Sequence, residues 1–272
     1  MSLDLVARAY DLALLQTAAN YDLSVTEERK ASNQWLVDLY GRLVQAIKPE
    51  LVLELGAFSA AFSRAQRAAL PETQFHAFEA NPHNHRRFRQ MVEEAGVHYH
   101  HRAIGEMVGA CTFKLARKRG GRDLKPTKGN NSLRTKSLDI EYEDIPVKMT
   151  TVDHFVRKQG LTDRTTAMWI DLEGCAYEAL VAAARTLRDT RLILIELEDR
   201  PFWIGQKLSA DVRNLLSGAG FMPLARDFEF SGQYNMIFVT FETYERVDVR
   251  TIMEDCLSQA GRRRRAGQAA TT

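Results

Sequence analysis

Apolar positions along this chain switch between two periods. From Leu3 to about residue 47 they recur every three or four residues, first as Leu3, Val6, Ala7, Tyr10 and Leu14, then as Trp35, Leu36, Leu39, Leu43, Val44 and Ile47. That spacing predicts two helices, and Lys48-Pro49 closes the second, because a residue before proline is pushed out of the helical region. Short apolar runs then alternate with helix-period stretches. The expected order is strand 51–55, helix about 59–70, strand 74–79, helix about 83–95 and strand about 97–102. A less regular stretch follows, with short strands at 110–115 and 147–151. Alternation resumes with a helix near 152–159, strand 167–171, helix about 176–188, strand 191–197 and helix about 208–217. Strands 221–226 and 234–240 flank a Ser231-Gly232 turn, and a last helix is expected over 241–259.

Strands that alternate with helices must run parallel, since parallel neighbours need crossover connections. The last two strands are joined by a short turn-rich loop and should pair as a hairpin. The chain therefore reads as α/β, with a Rossmann-like, mostly parallel seven-stranded sheet, a C-terminal antiparallel hairpin and an N-terminal helical extension. The expected units are the extension at 1–48, the α/β domain at 49–260 and a basic disordered tail at 261–272.

Two strand ends carry the chemistry. Leu51-Val52-Leu53-Glu54-Leu55-Gly56-Ala57-Phe58-Ser59 is an apolar strand that ends in an acid and a glycine turn, and Gln74-Phe75-His76-Ala77-Phe78-Glu79 is a second strand ending in a carboxylate. In nucleotide-binding α/β units an acid at the second strand's tip accepts hydrogen bonds from a ribose diol. A dinucleotide pyrophosphate would need the three glycines of G-x-G-x-x-G, whereas this turn has one. Glu54 would also repel a pyrophosphate, but it suits a cofactor whose amino-acid end carries an ammonium. These residues point to S-adenosylmethionine rather than NAD(P). Expected contacts are Glu54 and Gly56 for the amino-acid end, Glu79 for the ribose, Ala103 and Ile104 near the adenine, and Ala57, Ser59, Phe78 and Ala80 as further cofactor-binding residues.

The segment Ile170-Asp171-Leu172-Glu173-Gly174-Cys175 resembles the FkbM family of methyltransferases. Leu53-Glu54-Leu55-Gly56-Ala57, Phe78-Glu79-Ala80-Asn81-Pro82, Asn131-Ser132-Leu133, Thr150-Thr151-Val152-Asp153 and Leu192-Ile193-Leu194-Ile195-Glu196 add to the resemblance, which covers roughly residues 50–240. It implies a class I methyltransferase that O-methylates a hydroxyl of a sugar, glycan or natural product. N- or carboxyl-methylation of a peptide or small molecule is the alternative, and so is a non-catalytic cofactor-binding module. Ala60 stands where the family usually has a second glycine, and Ala176 where it usually has Glu or Asp.

Asp171 and Glu173 follow a central strand, at the edge where ligands of open α/β sheets bind. Glu196, Glu198 and Asp199 end the next strand at the same edge. Asp171, Glu173 and Glu196 are therefore the expected catalytic acids, and Asp171 with Glu196 is the pair suited to Mg²⁺, an oxygen-seeking ion. Asp171 also borders the expected cofactor site. Histidine is the usual base near neutral pH, and seven are present, three of them (His98, His100, His101) around one strand end. Cys175 is expected to be a small buried residue, and Trp203 to line a substrate pocket.

Composition narrows the rest. Hydrophobic residues make up 45% and charged residues 26% of 272 positions, as in an ordinary globular protein, and no apolar run reaches the ~20 residues of a membrane span. Three well-separated cysteines argue against a disulfide framework and for the cytoplasm. A net charge of +2 disfavours nucleic acid as a partner. The positive charge is clumped, however: nine Lys and Arg lie between Lys114 and Lys136 against the single acid Asp123, which predicts a solvated loop or a lid over an anionic substrate. The first helices are placed either to cover a pocket or to form a homodimer contact, and the sequence does not choose between these.

Overall fold

The computed structural model describes residues 3–127, 131–228 and 230–256. Helices α1 (Leu3–Asn20) and α2 (Thr26–Ile47) precede the sheet, and α2 stops where Lys48 turns left-handed ahead of Pro49. Strand β1 (Leu51–Leu55) is buried at every position, as a strand covered on both faces must be. Then come α3 (Ala61–Arg67), β2 (Gln74–Glu79), α4 (Pro82–Glu94), β3 (His98–His101) and the two-residue β4 (Ala103–Ile104). After β5 (Gly109–Arg119), β6 (Arg122–Asp123) and β7 (Ile140–Thr150) the chain returns through α5 (Val152–Lys158) to β8 (Thr166–Ile170). The last part holds α6 (Ala176–Val181), α7 (Thr186–Asp189), β9 (Thr190–Glu198), α8 (Ser209–Gly218), β10 (Phe221–Arg226), β11 (Gln233–Thr240) and α9 (Phe241–Tyr244).

The main sheet has seven strands in the order β10-β11-β9-β8-β1-β2-β3. Every pairing is parallel except those of β11, which runs antiparallel to both β9 and β10. The expected hairpin is therefore present, with its second strand inserted between the first and the rest of the sheet. Two apolar clusters fill the two faces, one built on Leu53, Leu55, Met168 and Ile193, the other on Val52, Phe75, Ala167 and Leu194. Strand order reverses between β1 and β8, and it is outside the carboxyl ends of such strands that open α/β sheets hold ligands.

Three expectations change. The short strands at 110–115 and 147–151 are each eleven residues long and pair with one another in a second sheet, β4-β7-β5-β6. The basic run from Lys114 is thus largely strand rather than loop up to Arg119. Its charges face acids across the ladder: Lys114 meets Asp144 at 2.7 Å, Arg117 meets Glu143, and Lys118 lies 3.9 Å from Glu141. The helix expected at 176–188 breaks in two, because the Asp153 carboxylate accepts the Arg185 and Thr186 N–H groups and the Thr186 hydroxyl at 2.6–2.9 Å and starts α7 afresh. The last helix breaks after α9 and resumes over 247–256; its expected end at 259 and the expected basic tail at 261–272 lie outside the described residues.

The N-terminal helices are anchored to the hairpin. Arg226 lies between the rings of Tyr234 (3.4 Å) and Phe228 (4.2 Å) and donates to the Tyr10 hydroxyl at 3.1 Å. Asp227, fully buried, accepts from Asn235 N–H (2.7 Å), Asn235 Nδ2 (2.9 Å) and Asn33 Nδ2 of α2 (2.8 Å). Asp227→Ala strands these donors and removes the carboxylate beside a buried guanidinium, so a stability loss of about 3 kcal/mol is expected in urea unfolding. A loss below ~1 kcal/mol would show that this network does not hold the helices in place.

The histidines form a stack on the outer strands rather than a site. His76 Nδ1 lies 3.0 Å from His100 Nε2, His98 stacks on His76, and Phe155 caps the group edge-on. Burial, followed by the neighbouring histidines, lowers the pKa of His76 to about 3, and burial with His98 and Arg102 lowers His100 to about 4. The unfolded chain takes up these protons near pH 6.5, whereas the folded one resists them until far lower pH. Stability should be full above pH 7 and fall by about 2 kcal/mol per histidine by pH 5, a slope that thermal melts with His76→Gln should flatten.

Candidate active site

The switch point is closed by backbone bonds. Gly56 N–H and Ala57 N–H both donate to Phe78 O (3.0 and 2.8 Å), and Asp171 N–H donates to Leu55 O (2.9 Å). Gly56 has φ +80°, and a Cβ there would stand 1.7 Å from the Asp171 carbonyl, so only glycine fits. Phe58 and Ala60 also take left-handed φ, 47° and 48°. The glycine the family usually carries at the second position is thus the residue this backbone favours, and Ala60 adopts the strained conformation. That delays α3 to Ala61, later than the period in the sequence suggested.

Two cavities meet at this turn. The first, about 530 Å³, lies above the ends of β1, β2 and β8 and has the size of a small-molecule site. Gly56, Phe78, Glu79 and Ala80 border one side, Ala103 and Ile104 the next, and Asp171 and Glu173 the other. The second, about 580 Å³, lies between the turn and α2; Glu54, Ala57, Ser59 and Trp169 line it. Gly56, Phe58 and Asp171 border both cavities. The structure therefore gathers every expected cofactor residue around one turn, but splits them between two cavities.

Glu79 is 7% exposed and its Oε1 accepts Asn81 N–H at 2.6 Å. Burial raises its pKa to about 7, against hydrogen bonds from Asn81, Asn84 and the Phe58 backbone that favour the charged form. Asn84, which the sequence reading missed, borders the same cavity, and its Oδ1 has no partner. A signal for it exists: Asn81 caps α4 by accepting His83 N–H, with Pro82 at the first helical position, and this aims the first turn of α4 back at the β2 tip. The carboxylate at the strand tip calls for donors, and a ribose diol supplies two hydroxyls. Glu54 is 4% exposed; its Oε2 accepts Ser63 N–H at 2.9 Å, capping α3, and burial raises its pKa to about 7.

Glu173 sits at φ +47° in the tight turn that carries it to the crevice, and Ser132 Oγ donates to its carbonyl at 2.7 Å. Behind it, a Cβ on Gly174 would fall 2.6 Å from the Trp203 ring. Trp203 is 1% exposed beneath Lys136, so it supports this turn instead of lining a substrate pocket. Cys175 borders the crevice, and burial raises its thiol pKa, so it remains a neutral thiol.

Glu196 does not join the site. It borders neither cavity, and its Oε1 accepts Gln233 Nε2 of β11 at 2.7 Å, because the inserted hairpin strand pairs with β9 there. Asp199 is likewise engaged by Ser209 and Tyr234. The expected Asp171–Glu196 pair for Mg²⁺ is therefore not assembled, and among the described residues no three His, Cys, Asp or Glu converge as a metal site. None of the histidines borders the first cavity. No described helix is long and apolar enough to cross a membrane.

Comparison with known proteins fits this geometry. Residues 50–223 match the family model described as the methyltransferase FkbM domain. No curated protein matches the chain. Among solved structures, the FkbM methyltransferase of Methylobacillus flagellatus KT is 11% identical, with 71% of this chain and 44% of that one covered and a TM-score of 0.42. The magnesium protoporphyrin IX methyltransferase of Synechocystis PCC 6803, solved with bound S-adenosylmethionine, is 10% identical over 79% of this chain and 82% of that one, with a TM-score of 0.43. The N-terminal domain of EvdMO1, solved with S-adenosylhomocysteine and D-fucose, is 14% identical over 75% and 81%, with a TM-score of 0.41. The chain thus spans less than half the length of the first of these.

A mostly parallel sheet with an inserted antiparallel seventh strand and a crevice at its switch point is the class I methyltransferase fold. Within that class the chain belongs to the FkbM methyltransferase domain family.

Proposed function

We propose that this protein O-methylates a hydroxyl of a sugar, glycan or related hydroxylated natural product, and that the first cavity holds the donor's adenosine. The observation that carries the adenosine placement is the Glu79 carboxylate at the β2 tip, which borders that cavity beside the glycine turn. Ala103 and Ile104, both buried, offer an apolar edge suited to adenine. Glu54 and Ser59, across the turn, serve the amino-acid end.

When bound, S-adenosylmethionine supplies a methyl group on a positively charged sulfur. The chain's own part is to orient the acceptor oxygen and to take its proton. Asp171 and Glu173 are the carboxylates that the cavity presents for this, and no histidine competes for the role there. Ser132 and Leu133 border the same cavity, Ser132 against the Glu173 carbonyl, and would flank the acceptor there. Lys114, Arg117 and Lys118 are paired with acids of β7, whereas Arg87 and Arg102 border the cavity and would suit an anionic group on the acceptor or donor.

The test is transfer of radiolabelled methyl from S-adenosylmethionine to a panel of sugars, glycans, macrolides and peptides. Label that survives mild alkali marks an ether, as proposed. Alkali-labile label marks a methyl ester, label on a peptide amine marks N-methylation, and tight donor binding without transfer to any acceptor marks a binding module. Any of these three outcomes overturns the reading.

A further inference from the structure

Two arginines border the first cavity, and the chain gives neither of them an acid. Arg87 stands one turn past Asn84 on α4, exposed to solvent, and the half-buried Arg102 links β3 to β4. Among the described residues neither guanidinium forms an ion pair, whereas Arg89 of the same helix is held by Glu93 at 2.9 Å. Arg87 instead lies over the Phe88 ring at 5.0 Å, and Phe88 meets Phe58, another residue of the cavity, at 4.8 Å. The acids of the cavity lie elsewhere on it. Glu79 is buried at the β2 tip, and Asp171 and Glu173 follow β8, which β1 and β2 separate from β3. Strand spacing puts the β8 and β3 tips about 14 Å apart. The donor offers these arginines nothing to bind. Its one anionic group is the carboxylate of the amino-acid end, placed above with Glu54 and Ser59 in the second cavity, which neither arginine borders.

We infer that the acceptor carries an oxyanion, a phosphate or a carboxylate, which Arg87 and Arg102 hold at the cavity rim while its hydroxyl reacts at Asp171 and Glu173. This deepens the proposed function and rests on its placement of the donor and of the reacting carboxylates. Guanidinium groups present planar forks of N–H donors that match the paired oxygens of such an anion. The span between the strand tips puts the anion and the reacting hydroxyl on different parts of the acceptor. It also fixes the acceptor's direction, because the reversed molecule would set its anion against Asp171 and Glu173.

The test titrates glucose 1-phosphate, glucuronate and neutral glucose into the whole chain by calorimetry, with and without saturating S-adenosylhomocysteine. At least one anionic sugar should bind about tenfold more tightly than glucose, and which of the two does so names the oxyanion. Arg87→Gln and Arg102→Gln should each weaken that sugar about fivefold, the upper range of a partly exposed ion pair, and leave S-adenosylhomocysteine within about twofold. Arg86→Gln removes the same charge from an exposed neighbour that does not border the cavity, and should weaken the sugar less than twofold. No preference for either anion over glucose, or equal losses from the Arg86 and Arg87 variants, overturns the inference. A parallel loss of S-adenosylhomocysteine assigns the arginines to the donor and overturns it as well. If S-adenosylhomocysteine does not bind the unaltered protein, the failure lies with the donor placement, and the titrations without it still decide what the arginines hold.

Discussion

Gly56→Ala is expected to lower stability by about 3 kcal/mol or more and to abolish donor binding. A left-handed φ alone costs an L-residue roughly 1–2 kcal/mol. Here the new methyl would also stand 1.7 Å from the Asp171 carbonyl, which is backbone and cannot swing away. Relief requires the tips of β1 and β8 to part. That would break the Asp171 N–H bond to Leu55 and move Phe58 and Asp171, which border both cavities. Chemical unfolding and titration with S-adenosylhomocysteine check the two halves separately. A variant within ~1 kcal/mol of the parent that still binds would mean that the switch point is looser than this geometry.

Glu79→Ala should weaken S-adenosylhomocysteine by roughly 10- to 100-fold. A hydrogen bond to a charged group contributes about 1.5–3 kcal/mol, and each 1.4 kcal/mol is tenfold in affinity. The alanine also leaves Asn81 N–H without its acceptor. An effect within twofold would remove the ribose from the β2 tip. The same residue fixes a pH dependence. In the free protein Glu79 titrates near 7, because burial penalises its charge. A ribose diol donates to the carboxylate and favours the ionised form, so binding expels a proton and affinity rises as pH goes from 6 to 8. Glu79→Gln should flatten part of that rise, with the remainder belonging to Glu54, which titrates in the same range.

The site divides cleanly by the kind of information it needs. Gly56, Glu79 and Asp171 were legible because each closes an apolar strand, and strand ends of a parallel sheet all point to one edge. Glu196 followed the same rule and was misplaced, since the rule does not say which neighbour a strand-end acid will meet. The inserted strand β11 brings Gln233 to it and takes it out of the crevice. Asn84 was missed for the opposite reason: it lies on a helix, and only the Asn81-Pro82 cap turns it toward the cavity.

By itself the sequence determined the order of elements, the parallel class of the sheet and the acids at its carboxyl edge, because periodicity and strand ends are local properties of the chain. Tertiary structure decided what depends on partners distant in sequence. The basic run from Lys114 became a strand because the acids of β7 lie across from it, and the helix after Gly174 broke because Asp153 caps Thr186 from another element. The cofactor residues were divided between two cavities because α2 packs beside the glycine turn. Each of these is a pairing across many residues, and its energy does not exist until the chain has folded.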